Sequence, residues 1–117
     1  MREAFRDKGR LEHILKAIDN ALEYTQGLTC EEFECNKILC HATIYNIQII
    51  GEAAYKLTKE FKETHNEVEW RVIEGLRHVL VHDYYQVNYK EVWNVIQDDL
   101  PILRQQITEY LNDPQGW

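Results

Sequence analysis

Three cysteines, two prolines and five glycines in 117 residues leave little room for several kinds of protein. Cys30, Cys35 and Cys40 are odd in number, evenly spaced, and lack the Cys-x-x-Cys pattern of a zinc or redox site. They read as reduced thiols filling small apolar positions. No metal site is expected, since His13, His41, His65, His78 and His82 contain no His-Glu-x-x-His pair. There is no glycine-rich phosphate loop and no Gly-x-Ser-x-Gly elbow. No apolar run approaches the roughly 20 residues of a membrane span. The first eight residues carry too many charges for a secretory leader, so a cytoplasmic protein without membrane contact is expected. Basic residues are also scarce, 13 against 20 acidic, for a net charge of -7. A chain of that charge does not coat nucleic acid nonspecifically, because phosphate contacts need clustered Lys and Arg. Any RNA site must be a local basic patch on an acidic body.

What is present has helical periodicity. Residues 1–117 suffice for one domain with its own core. Leu11, Ile14, Leu15, Ile18 and Leu22 fall on one face of a first helix, beginning near Arg6 or Gly9 and ending near Gln26, with Gly27 as its stop. Thr29 and Glu32 have the spacing of a capping box ahead of a short turn or helix anchored by Phe33. A long helix is expected from about Asn36 to Lys59. Its stripe of Ile38, Leu39, Ile44, Ile47, Ile50, Gly51, Ala54 and Leu57 is wide enough for a central helix or for a second subunit. Gly51 and Ala53-Ala54 would let another helix approach closely.

Phe61 to Val68 reads as a polar connection. A further helix starts near Glu69 and carries Trp70, Ile73, Leu76 and Leu80. Asn88 and Glu91 mark the cap of a last helix running to Leu111, with Val92, Trp93, Ile96, Leu100, Leu103, Ile107 and Leu111 buried. Pro101 predicts a kink there, or a restart capped by Asp98 or Asp99. The tail from Asn112 to Trp117 is expected to be loose. No segment alternates as a strand does. The fold class is therefore all-α, an antiparallel bundle of four to five helices.

One window concentrates the chemistry: Arg77-His78-Val79-Leu80-Val81-His82-Asp83-Tyr84-Tyr85. A helix-borne arginine is most often solvated or paired with a carboxylate such as Glu74. A histidine at a helix end is often a local cap. Arg77, four intervening residues, His82 and then Tyr84 nevertheless form a spaced set. That set resembles the signature of the HEPN superfamily and, within it, the HepT-like toxins of prokaryotic toxin–antitoxin pairs. Ile49-Ile50-Gly51-Glu52-Ala53-Ala54 and the stretch from Trp93 to Leu100-Pro101 resemble the same family, in the same order. The residue after the arginine is commonly polar in relatives; here it is His78. Tyr45 stands where many relatives carry a basic residue.

The resemblance implies a homodimeric, metal-independent endoribonuclease that needs no cofactor. Arg77 and His82 from two copies would meet in a composite cleft to cut RNA. It also implies that Tyr84 is adenylylated by a cognate minimal nucleotidyltransferase antitoxin, which would silence the toxin. His78, Asn46 and Glu52 are candidate accessory or RNA-binding residues, with Glu52 a possible partner of Arg77. The nearest other basic groups are Arg71 and Lys90. The alternative, favoured by the acidic charge, is a non-catalytic helical partner of a nucleotidyltransferase that binds protein or nucleotide.

Overall fold

The computed structural model describes residues 2–78, 88–114 and 117. Among these residues every regular element is helical. α1 spans Arg2–Thr25, α2 Cys30–Cys35, α3 Lys37–Lys56, α4 Lys59–Thr64 and α5 Trp70–Glu74. A 3₁₀ turn, Gly75–His78, continues α5. α6 covers Tyr89–Asn94, a π-turn covers Val95–Asp99, and α7 covers Leu100–Leu111. The all-α class is as the sequence indicates. With α6, the π-turn and α7 taken as one rod, the described residues make six helices, one beyond the expected range.

The surplus helix is α4, which lies in the supposed connection. Thr58 caps it, accepting from the Phe61 N–H at 3.2 Å, and Phe61 is buried. Sequence periodicity cannot show why so short a helix holds. Phe61 is clasped by rings from elsewhere in the chain: Trp70, Tyr110 and Trp117, each at 6.0 Å. The last of these also revises the tail. Trp117 donates its indole N–H to the Tyr110 carbonyl at 3.2 Å and lies nearly parallel to Phe61.

Local signals set the helix ends. Gly27 takes φ of +78°, a conformation that costs an L side chain but not glycine, and α1 stops there. The capping box forms in full: the Glu32 N–H donates to Thr29 at 3.2 Å, and the Thr29 N–H donates to Glu32 at 2.9 Å. Asn36 caps α3 and Asn88 caps α6 through the side chain alone, accepting from the Leu39 and Glu91 N–H groups. Pro101 is accommodated differently from expectation. Neither Asp98 nor Asp99 caps a new helix. The turn before Pro101 widens instead, with the Leu100 N–H reaching back to the Val95 carbonyl. A wide turn relieves the clash a proline makes with the carbonyl one α-turn earlier.

α3 is the central helix. It runs antiparallel to α1, since Asn20 bonds Asn46 near one end while Asp7 bonds Thr58 near the other. Asp7 is 3% exposed, and both of its oxygens are engaged, by the Thr58 N–H at 2.9 Å and the Thr58 hydroxyl at 2.6 Å. Leu11, Ile14 and Ile18 of α1 pack against Ile44, Ile47 and Ile50 of α3 in one core. α7 lies along α1, and α2 bridges α3 and α6 through the Phe33–Trp93 ring contact at 5.5 Å. Ile38, expected in the core, is 84% exposed. The buried face is Cys40, Thr43, Ile44, Ile47, Ile50, Gly51 and Ala54, and at the spacing of an α-helix Ile38 falls on the opposite side.

Candidate active site

The site begins with a close backbone crossing. α5 and its 3₁₀ turn pack across α3 at Gly51. A Cβ placed on Gly51 would lie 2.9 Å from the Arg77 Cα and closer still, 2.2 Å, to its backbone nitrogen. Only glycine fits at that crossing, and its fit fixes where the chain sets down Arg77.

The side chain is fixed as well. The Arg77 guanidinium carbon lies 3.6 Å from the centroid of the Tyr55 ring, one α-turn beyond Gly51. The Arg77 Nε–H donates to Nε2 of His78 at 3.2 Å. A neutral His78 in that role carries its proton on Nδ1. No carboxylate among the described residues pairs with Arg77. Glu52 is exposed and faces Lys56 at 3.8 Å, and Glu74 holds Lys62 at 3.1 Å. The two anticipated carboxylate partners of Arg77 are thus occupied elsewhere. The result is a half-buried guanidinium, stacked on one face, whose positive charge meets no adjacent carboxylate among the described residues.

The other sequence candidates are distributed as follows. His78 is exposed and in contact with Arg77. Asn46 is 5% exposed, accepts from Asn20 at 3.1 Å and donates to the Ala42 carbonyl at 2.9 Å. It clamps α1 to α3. Arg71 and Lys90 are exposed. His82, Asp83, Tyr84 and Tyr85 lie outside the described residues. No group of three His, Cys, Asp or Glu side chains among the described residues is placed to hold a metal ion. None of the described helices is long and apolar enough to cross a membrane. An open groove of about 500 Å³ near the end of α1 is lined by Asp19, Glu23, Gln26, Gln97 and Arg104 among others, and involves none of the candidates.

Sequence reasoning overlooked Tyr55. Its signal was Gly51-x-x-x-Tyr55: a tyrosine one turn from a helix glycine, on the face that receives the crossing chain.

A helical fold of this kind is shared by many proteins, and sequence comparison places this one among the ribonucleases. Residues 14–110 match the family model described as Ribonuclease HepT-like. This chain belongs to that family. It is 40% identical over 101 residues to a protein of Caldanaerobacter subterraneus subsp. tengcongensis named “Putative RNase”, covering 86% of this chain and 90% of that one. It is 35% identical over 97 residues to a protein of Thermococcus cleftensis named “Probable ribonuclease HepT”, covering 83% and 88%. A Methanocaldococcus jannaschii protein, also named “Putative RNase”, is 31% identical over 100 residues, covering 86% and 92%. No solved structure matches the chain.

Proposed function

We propose that this HepT-like ribonuclease is the toxin of a toxin–antitoxin pair and cleaves RNA internally without a metal, using Arg77 and His82. The observation that carries the reading is the anchoring of Arg77, whose backbone is seated at Gly51 and whose guanidinium lies against the Tyr55 ring. In the proposed step an imidazole takes the proton of a ribose 2′-hydroxyl. The 2′-oxygen attacks phosphorus, and the P–O5′ bond breaks. A second imidazole, protonated, gives its proton to the departing 5′-oxygen. The products are a 2′,3′-cyclic phosphate and a 5′-hydroxyl. Histidine suits both proton transfers because its ordinary pKa is near neutrality. Arginine suits the charged phosphorane because its planar fork pairs with two phosphate oxygens. One chain has one His82, so two copies related by a two-fold axis would supply base and acid in a shared cleft. His78 and Glu52, exposed beside Arg77 and Gly51, and the buried Asn46 are the accessory candidates of this reading.

Tyr84 is the proposed control point. Adenylylation by a minimal nucleotidyltransferase antitoxin would put a negative charge and a nucleotide where an RNA phosphate must sit. The acidic net charge favours a second reading, a non-catalytic partner of the same nucleotidyltransferase. The test is cleavage of RNA in EDTA by the purified chain. Loss of about 10²-fold or more is expected for His82→Ala and for Arg77→Ala. Wild-type rates in both variants reject the nuclease mechanism. Incubation with the nucleotidyltransferase and ATP should add one adenylate to the Tyr84 peptide, and Tyr84→Phe should block it.

A further inference from the structure

The ring beneath Arg77 has no role in that scheme. Tyr55 is 45% exposed, so burial alone does not account for its position. It stands one turn from the glycine that seats the Arg77 backbone, and its face meets the guanidinium at 3.6 Å. A guanidinium carries all of its donors in its own plane. A ring on its face therefore restrains the group while leaving its in-plane edge for a ligand. Here one in-plane donor, Nε–H, is directed to His78. An unrestrained arginine has rotamer entropy to lose when it grips a phosphate. A stack formed beforehand lowers that loss, and the attraction between the cation and the ring adds to it.

We propose that Tyr55 is a positioning residue for Arg77. It holds the guanidinium flat on the surface of α3 so that its terminal nitrogens meet the scissile phosphate in one orientation. The proposal rests on the reading of Arg77 as the phosphate-stabilising cation. It requires the ring and not the hydroxyl, because the contact is through the ring face.

Three variants test it: Tyr55→Phe, Tyr55→Leu and Arg77→Ala. The readouts are kcat and KM on a short RNA, the melting temperature, and the NMR shift of the Arg77 Nε–H proton. Tyr55→Leu is expected to lower kcat about tenfold with KM changed less, while melting stays close to wild type. Tyr55→Phe is expected to stay within about twofold of wild type. The ring current should shield the Arg77 Nε–H in wild type and Tyr55→Phe, and Tyr55→Leu should move the signal downfield. An unchanged signal in Tyr55→Leu overturns the stack. An active Tyr55→Leu beside an inactive Arg77→Ala overturns the positioning role and leaves the mechanism standing. Full activity in Arg77→Ala overturns the mechanism, and the role of Tyr55 falls with it.

Discussion

At the scale of single residues, environment decides what a side chain can do. Tyr110 illustrates this away from the site. Burial, then the hydrogen bond to Glu67 at 2.7 Å and the Glu67 charge, push its phenol well above the ordinary tyrosine range. The folded chain therefore keeps the proton that an unfolded chain releases near pH 10. The stability tied to that proton is fully present below pH 10 and fades as pH rises above it. Tyr110→Phe should thus cost about 1 kcal/mol at neutral pH, and the gap between variant and wild type should narrow on going to pH 11. Thermal melts across that range check it, and a gap that widens instead overturns the assignment. This coupling was not legible in the sequence, because Glu67 lies 43 positions from Tyr110 and only the fold brings them together. Tyr55 escaped for the same reason: its meaning comes from Arg77, which arrives from another element. Arg77 could be singled out as a candidate beforehand, because its spacing to His82 and Tyr84 is written in one short window.

At the scale of elements, the local signals read well. Gly27, the Thr29–Glu32 box and the Asn88 cap all depend on neighbours within a few residues, and each stands where the sequence placed it. α4 did not follow from periodicity, since it relies on distant rings, whereas the outward Ile38 does follow from it, because at helical spacing it lies opposite the buried stripe of α3. The α3–α5 crossing offers a sharp comparison between two helix glycines. Ala is about 1 kcal/mol better than Gly in a helix interior. At Gly9 an added Cβ meets nothing within 4 Å, so Gly9→Ala should stabilise by about that amount. At Gly51 the same Cβ meets the Arg77 backbone, which cannot swing aside as a side chain would. Gly51→Ala should therefore destabilise by roughly 2 kcal/mol or more, the clash outweighing the propensity gain. It should also lower RNA cleavage by displacing the turn that bears Arg77. Denaturant melts of the two variants should move in opposite directions.

At the scale of the whole molecule, the core also governs chemical access. Cys40 is buried, with its thiol directed to the Phe33 carbonyl at 2.8 Å, and burial pushes its pKa up. Desolvation and then Glu34 raise that of Cys30. Cys35 is exposed. A thiol reagent at neutral pH should label Cys35 first and Cys40 only on unfolding, because the thiolate is the reactive form. Rapid labelling of Cys40 in the native protein would contradict the packing.

The long C-terminal rod adds a consequence of another kind. It is held on one side of the π-turn by Trp93 against Phe33 and on the other by Arg104 against Asp19 at 2.6 Å. Between these anchors the π-turn takes up one residue more than an unbroken α-helix of the same length would need. Close relatives can therefore differ here by a single deletion without rotating either anchor away from its partner, provided that Pro101 is replaced at the same time. The surplus residue and the proline should be gained or lost as a pair.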